Sequence, residues 1–327
     1  MKKILMLGMI IAVISLAACG ADNDTEGSSS EGENTYKVGA TQIVEHPSLD
    51  AAYEGFKDAL ADAGLEVEYD FQSAQNDQNN VKPISDGFVA DDVDLIFANS
   101  TPSALGALQA TSDIPIVFTS VTDAVDVGLV PSMDEAGENI TGVVDLHPEQ
   151  IDATVEFIGN YFEGASIGMV YNAGEQNSVN QVEAVKAAAE DKGLEVVERT
   201  VANAAEVQQA ATTLVGDADV FYIITDNTVV SALDSVIGVA NDQDIPLIVG
   251  EPDSLAGGGF ATFGIDYHTI GYRTGEMAAE ILTGEKSPSD IPAEYPPEIQ
   301  LFINKQAAEE QGIEWNTEWD EMAQFVE

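Results

Sequence analysis

Basic residues are scarce in this chain of 327 residues, in which 11 lysines and arginines stand against 58 aspartates and glutamates, a formal net charge of −47. A surface of this sign repels nucleic acid and anionic lipid headgroups, so neither is expected as a partner. Disorder is also excluded, because 45% of the residues are hydrophobic and they occur in regular segments. We interpret the acidity as adaptation to a saline or alkaline exterior, where salt screens the self-repulsion.

Cysteine occurs once, at Cys19, so no disulfide can form within the chain. The basic start Met1–Lys3 precedes a fifteen-residue apolar segment, Ile4–Ala18, which is shorter than the roughly 20 residues needed to span a bilayer. This arrangement predicts a signal peptide over residues 1–18. The segment Leu16–Cys19 resembles a bacterial lipobox, in which the cysteine is diacylated, so Cys19 is predicted to carry a lipid anchor.

Residues 19–35 are predicted to form a flexible tether. Within them, Gly20–Asn34 contains no aromatic or β-branched aliphatic residue that could be buried in a core. The lipid would hold the mature protein, expected to be a monomer, on the extracellular face of the cell membrane. The rest of the chain, about 290 residues, exceeds the usual size of a single core, so two lobes are expected.

The chain contains two similar halves. "KVGATQIVEHPSLDAAYEGFKDALADAGLEVEY", from Lys37, matches "SIGMVYNAGEQNSVNQVEAVKAAAEDKGLEVVE", from Ser166, with Gly39 and Gly64 aligned to Gly168 and Gly193. Each copy has the pattern of an apolar strand, a polar loop, an amphipathic helix that ends at glycine, and a second strand. Strands that alternate with helices build parallel sheets, so the predicted fold class is α/β with two doubly wound parallel-sheet lobes.

The C-terminal part predicts a hinge that the chain crosses three times. A strand at Ala261–Ile265 precedes a helix that we assign to the first lobe, and a Pro-rich crossing then leads to a last strand in the second lobe. The predicted first lobe is 36–143 plus 267–297, and the second is 144–266 plus 298–327. Ligands bind beyond the carboxyl ends of strands in such sheets, so the two lobes should enclose a cleft.

The motifs "VGATQIVEHPSLDAAYEGFKDAL", "NSTPSALGAL", "DIPIVFTSVTDAVDVGLV" and "NITGVVD" resemble the ABC transporter substrate-binding family associated with tryptophan and tyrosine uptake. The resemblance extends from Lys37 to about Gly312 and implies a type I periplasmic-binding-protein fold. It also implies an extracellular solute-binding lipoprotein that delivers an aromatic amino acid to a permease with its ATPase. A membrane-tethered ligand sensor, or a binding protein for a nucleoside or sugar, remains the alternative.

No pattern indicates an enzyme, and no catalytic residue, metal or cofactor is predicted. The three histidines, His46, His147 and His268, are not spaced as metal ligands on a helix. The sequence has no G-x-S-x-G elbow, and Gly257–Gly259 is not followed by the lysine of a P-loop.

The strand ends supply the candidate binding residues. None of these ends contains lysine or arginine, so a strongly anionic ligand is excluded. Both tryptophans, Trp315 and Trp319, lie in the tail, which weakens a sugar-stacking site. The candidate ligand-binding residues are polar side chains at strand ends: Thr41, Gln42, Glu45, His46, Ser100, Thr101, Ser103, Thr119, Ser120, Thr122, Asp123, Tyr171, Asn172, Asp226, Asn227 and Glu251.

A zwitterion fits these groups. Its carboxylate can be held at the helix start of "NSTPSALGAL", where Ser100 or Thr101 is the N-cap, and capping and ligand contact are compatible roles. Its ammonium needs a carboxylate, for which Asp226 and Glu251 are the best candidates and Asp123 the third. An aromatic side chain would need an apolar wall, for which Val44, Val121, Tyr171 and the stem of Gln42 are available.

Overall fold

The computed structural model describes residues 35–326. The predicted signal peptide, Cys19 and the predicted tether up to Asn34 therefore lie outside the described residues. Among the residues that are described, no helix combines the length and the apolar character required to cross a membrane.

The first sheet is parallel throughout, with the strand order β2-β1-β3-β4-β5. Its central strands are apolar runs in which every residue is buried, as expected where helices cover both faces of a sheet. Its elements are β1 (Tyr36–Gln42), α1 (Pro47–Asp62), β2 (Val67–Ser73), α2 (Gln78–Ala90), β3 (Leu95–Asn99), α3 (Thr101–Ala110), β4 (Ile116–Val121) and β5 (Ile140–Val144).

The second sheet has the order β12-β11-β10-β9-β8-β6-β7. Its pairs are parallel except β10 with β11, which is antiparallel because the chain returns from the other lobe to add this strand. The elements after β5 are α4 (Gln150–Tyr161), β6 (Ser166–Asn172), α5 (Gln176–Lys192), β7 (Glu195–Val201), α6 (Val207–Leu214), β8 (Val220–Ile223), α7 (Asn227–Val230), α8 (Leu233–Asp242), β9 (Leu247–Val249), α9 (Pro252–Gly257), β10 (Ala261–Gly264), α10 (Tyr267–Leu282), β11 (Gln300–Asn304), α11 (Lys305–Glu310), α12 (Trp319–Met322) and β12 (Gln324–Val326).

The chain passes between the two sheets three times, which confirms the predicted fold class. The first crossing follows β5, and the second leads from β10 into α10, which packs in the core of the first lobe. The third follows Glu294, whose main chain pairs with Gly142 and Val144 beside β5 before the chain enters β11.

Glycines allow α10 to lie unusually close to α1. A Cβ atom on Gly271 would overlap the carbonyl group of Ala52, and one on Gly55 would overlap that of His268. Backbone thus touches backbone, and the second crossing is held rigidly to the first lobe.

Trp319 belongs to the core of the second lobe, and the partly buried Trp315 packs against that core. Trp319 is 2% exposed, and its ring packs edge to face against Tyr161 with centroids 5.3 Å apart. Trp315 packs against Trp319 at right angles, also at 5.3 Å. These rings pack in the same hydrophobic cluster as the buried side chains of α4.

Candidate ligand-binding cleft

A cavity lies between the two lobes at the carboxyl ends of their strands. In the closed arrangement its cavity volume is only about 30 Å³, and all the space between the lining atoms together with the open solvent at its mouth amounts to about 440 Å³. Among the described residues, no lysine or arginine lines it. The lining residues are Val44, His46, Ser48, Leu49, Thr101, Ser120, Thr122, Asp145, Asn177, Thr225, Asp226, Asn227, Val230, Glu251 and Tyr267.

The cavity brings together seven of the residues predicted at strand ends, from both lobes: His46, Thr101, Ser120, Thr122, Asp226, Asn227 and Glu251. Val44, predicted as part of the apolar wall, also lines it. Parallel strands end at one edge of a sheet, so the loops that follow them converge there.

Other predicted residues of the first lobe lie away from the cavity lining. Thr41, Gln42 and Thr119 are buried within the sheet, where Gln42 Nε2 donates to Asp50 Oδ1 at 2.9 Å. Glu45 is exposed. The remaining three residues, Ser100, Ser103 and Asp123, take part in a helix cap and a turn. Ser100 Oγ accepts from the Ser103 N–H and bonds the Ser103 hydroxyl, while Asp123 is exposed and accepts from two N–H groups of its own loop.

In the second lobe, Tyr171 and Asn172 are also outside the lining. The Tyr171 hydroxyl donates to Glu198 Oε2 at 2.9 Å, because its side chain points along the sheet toward the neighbouring strand β7. The Asn172 amide donates to Thr228 Oγ1 at 2.9 Å and stabilises the loop before α7. The aromatic ring in the cavity is therefore that of Tyr267.

Seven lining residues were not predicted. Asp145 follows β5 directly, so the strand-end rule could have found it, and Thr225 precedes a predicted residue. Ser48, Asn177 and Tyr267 lie in the first turns of helices, where no spacing in the sequence marks them. The full set is Ser48, Leu49, Asp145, Asn177, Thr225, Val230 and Tyr267.

Glu251 is the N-cap of α9. Its Oε1 accepts from the Ser254 N–H at 2.8 Å and its Oε2 from the Asp253 N–H at 2.7 Å. The hydroxyl of Ser48, from the other lobe, lies 2.5 Å from Oε2, and His46 Nε2 lies 4.0 Å from Oε1. Both carboxylate oxygens are thus already hydrogen-bonded by the protein.

Asp226 has a similar role at α7. Its Oδ1 accepts from the Val229 N–H at 2.7 Å and its Oδ2 from the Asn172 N–H at 2.6 Å. Burial, and next to it the negative charge of Glu175, raises the pKa of Asp226. Glu175 itself accepts from the N–H groups of Asn227 and Thr228, so two buried carboxylates share the start of this short helix.

Asp145 differs from these two acids. It is 7% exposed, and its Oδ2 accepts from the Tyr267 hydroxyl at 2.8 Å. Its Oδ1 is buried and has no hydrogen-bond partner among the described residues. Burial raises the pKa of Asp145 to about 6, with the charge of Glu251 adding to the effect.

The backbone is irregular at the end of β4, beside the cavity. Ser120 has φ +56°, and the pairing of β4 with β5 shifts register between Phe118 and Val121. A bulge of this kind turns a side chain away from the regular alternation, and a non-glycine residue at positive φ is a sign of functional constraint. The Ser120 hydroxyl and Asn177 Oδ1 are buried without a partner among the described residues.

A family model described as ABC transporter substrate binding protein matches residues 37–326. The chain belongs to this family. It is 42% identical over 316 residues to a tyrosine-binding protein of Clostridioides difficile, covering 93% of this chain and 90% of that protein.

Two solved structures resemble this substrate-binding protein to different degrees. A Streptococcus pneumoniae ABC domain in complex with L-Trp is 33% identical with a TM-score of 0.85, over 90% of this chain and 100% of that one. A ligand-free, open substrate-binding protein with adhesive properties from Clostridium difficile is 39% identical, over 90% of this chain and 99% of that one, with a TM-score of 0.66.

Hydrogen bonds join the two lobes across the mouth of the cleft. Gln181 Nε2 donates to Thr122 Oγ1 at 3.4 Å, and Gln78 Nε2 donates to the Gly174 carbonyl at 3.2 Å. Ser48 Oγ lies 2.7 Å from Asp253 Oδ2. With these contacts made, the lobes of this substrate-binding protein are closed on each other.

No cluster of three or more His, Cys, Asp or Glu side chains with the arrangement of a metal site occurs within residues 35–326. The acids of the cleft are instead dispersed over separate loops, each beside hydroxyl or N–H groups. Such an arrangement favours an organic ligand with several polar groups.

Proposed function

We propose that this substrate-binding protein captures an aromatic amino acid, tyrosine or tryptophan, and delivers it to an ABC permease. The observation that carries the proposal is the composition of the cleft, where Asp145, Asp226 and Glu251 meet hydroxyl and amide groups without a lysine or arginine in the described lining. Such a cleft favours a ligand with an ammonium group and disfavours a strongly anionic one. The 42% identity to a tyrosine-binding protein supports the same ligand class.

The apolar lining fits a ring. Val44, Leu49, Val230 and the ring of Tyr267 supply hydrophobic surface between the polar groups. Burial of an aromatic side chain removes roughly 150–250 Å² from water, which contributes about 4–6 kcal/mol at about 25 cal/mol per Å². This contribution is large enough to select strongly against alanine or glycine.

The ligand's carboxylate has partners on the first lobe. The hydroxyls of Thr101, Ser120 and Thr122 line that side of the cavity, next to the start of α3. Hydroxyls together with the positive end of a helix dipole can hold a carboxylate without arginine.

We further propose that the closed arrangement is the ligand-bound one. The TM-score is higher with the L-Trp complex than with the open, ligand-free structure, although the open structure is the more identical in sequence. The open structure has the same fold but a lower TM-score, which fits a different angle between its two lobes. The bodies that move are proposed to be 36–143 plus 267–297 and 144–266 plus 298–327.

The test of the ligand is a calorimetric and thermal-shift screen of the twenty amino acids, common nucleosides and sugars against the mature chain. Tyrosine or tryptophan is expected to raise the melting temperature and give a measurable Kd, whereas alanine and glycine are not. A shift produced by a nucleoside or sugar alone would contradict the proposal. Recovery of a chemically altered ligand after long incubation would show that the protein is an enzyme.

We also propose that Cys19 anchors the protein to the outer face of the cell membrane. The support is the apolar run followed by the lipobox-like Leu16–Cys19. Cell fractionation tests it, because the Cys19→Ala variant should leave the membrane fraction. Complete retention of that variant in the membrane would show that another segment is the anchor.

A further inference from the structure

Three acids line the cleft, and they differ in what their oxygens are already bonded to. We infer that Asp145, at the first crossing between the lobes, is the residue that binds the ligand's ammonium group. The inference rests on the proposed function, because it presupposes a ligand with an amine, and it goes further by assigning the residue that recognises this amine.

Every carboxylate oxygen of Asp226 and Glu251 already accepts at least one hydrogen bond from the protein. Each caps a helix, and each accepts a main-chain N–H on both of its carboxylate oxygens. Neutralising either acid would weaken the cap first. Their roles are explained by the fold of the second lobe alone, with no ligand required.

Asp145 Oδ1 has no such explanation. It is buried, lines the cavity, and lacks a hydrogen-bond donor among the described residues, while Oδ2 is held by Tyr267. A buried acceptor without a donor is costly, and for an ionised carboxylate the cost is greater still. A ligand ammonium placed against Oδ1 would supply both a donor and the opposite charge.

The charges around Asp145 reinforce this assignment. Glu251 is close enough to Asp145 and Tyr267 to act on both electrostatically, and Asp253 acts on Tyr267. The potential in this part of the cavity is therefore negative and attracts a cation. His46 Nε2 lies 4.0 Å from Glu251 Oε1, whereas the Ser48 hydroxyl contacts Glu251 Oε2.

The bond between Asp145 and Tyr267 also joins two crossings of the hinge. Asp145 follows β5 at the first crossing, and Tyr267 begins α10 after the second. Tyr267 is therefore a positioning residue, which orients the Asp145 carboxylate while its ring forms part of the apolar wall. An ammonium bound at Oδ1 would therefore pair with the same carboxylate that links the two hinge segments.

The experiment compares tyrosine with 3-(4-hydroxyphenyl)propionate, which lacks only the amine, by calorimetry on the mature chain. The wild type is expected to prefer tyrosine by about 100-fold or more. Asp145→Asn should weaken tyrosine binding by at least about 30-fold and abolish most of the preference, with little change for the analogue. Asp145→Ser serves as a second variant if Asn prevents folding.

The matched control is Asp134→Asn, which removes the same charge from an exposed turn of the first lobe and should leave both affinities unchanged. Asp226→Asn and Glu251→Gln should lower the melting temperature yet keep the preference for the amine. Tyr267→Phe should reduce the preference partially, since the carboxylate remains but is no longer oriented.

The two proposals fail in different ways. A wild type that binds neither tyrosine nor tryptophan overturns the proposed function, and the assignment of Asp145 with it. A wild type that prefers tyrosine, together with a folded Asp145→Asn variant that keeps the full preference, overturns the assignment alone. If folded Asp226→Asn or Glu251→Gln loses the preference for tyrosine and Asp145→Asn does not, the ammonium binds to that other acid and the assignment of Asp145 is wrong.

Discussion

At the scale of single residues, the buried carboxylate of Asp145 connects binding to stability. Its pKa of about 6 means that the folded protein holds this proton more tightly than the unfolded chain, for which the ordinary value is 3.8. The associated stability is fully present below pH 3.8 and is lost as the pH rises through about 6. At neutral pH the closed cleft without a ligand therefore carries a destabilising buried charge.

We expect Asp145→Asn to raise the melting temperature of the ligand-free protein at pH 7 and to have little effect at pH 4. The difference of about two pH units corresponds to roughly 3 kcal/mol in the free energy of unfolding. Thermal unfolding across this range is the measurement, with Asp134→Asn, at an exposed position, as the control. A lower melting temperature at pH 7 would indicate that Asp145 has a structural role instead.

Tyrosine affinity should depend on the same proton. As the pH falls below about 6, neutral Asp145 no longer pairs with the ammonium, so the affinity should fall by about tenfold per pH unit. Asp226, Glu251 and His46 also line the cavity, and Asp253 contacts the lining residue Ser48, so a His46→Gln variant is measured in parallel. Calorimetry between pH 4.5 and 7.5 compares the wild type with Asp145→Asn, because Asp226, whose pKa is raised to about 7, titrates in the same range. The same pH profile in both proteins would show that Asp145 does not contact the amine.

At the scale of elements, the contact between α1 and α10 determines where the chain enters the first lobe after its second crossing. The two helices approach with backbone against backbone, which only glycine permits at positions 55 and 271. This contact fixes the position of Tyr267, the first residue of α10, and so the orientation of Asp145.

Gly271→Ala should destabilise the protein by about 1–3 kcal/mol, because the new methyl group overlaps the Ala52 carbonyl. The matched control is Gly87→Ala in α2, where a Cβ meets nothing within 4 Å. That control should stabilise the helix by up to about 1 kcal/mol. Urea unfolding of both variants measures the difference, and equal effects would contradict the close packing described above.

At the scale of the whole molecule, the ligand is enclosed by closure of two lobes that the chain connects three times. The contacts between the lobes are hydrogen bonds of polar groups, such as Gln181 with Thr122, and the contacts of Ser48 with the carboxylates of Glu251 and Asp253. Such contacts contribute about 0.5–1.5 kcal/mol each, or about 1.5–3 kcal/mol where one group is charged, and we expect the ligand to add to the energy of closure.

The radius of gyration should therefore decrease when tyrosine is added at saturation. Small-angle scattering measures it, and alanine at the same concentration is the control. Asp145→Asn should stay open at a tyrosine concentration that closes the wild type. An unchanged wild-type radius at full occupancy would argue against a hinged binding protein.

Much of this architecture could be predicted from the sequence. The repeat from Gly39 to Gly168 and the alternation of apolar strands with amphipathic helices are local patterns, and they determine the two lobes and the edge at which ligands bind. The polar strand ends also predicted His46, Thr101, Ser120 and Glu251, which do line the cavity.

The tertiary structure alone decided which acid of the cleft is free to receive an amine. Asp226 and Glu251 serve as helix caps, whereas Asp145 has one oxygen held by Tyr267, 122 positions along the chain, and one oxygen without a donor within residues 35–326. The sequence determined the fold because strand and helix patterns are properties of neighbouring residues. The hydrogen-bond partner of a carboxylate depends instead on packing between distant segments, as here where two crossings of the hinge meet.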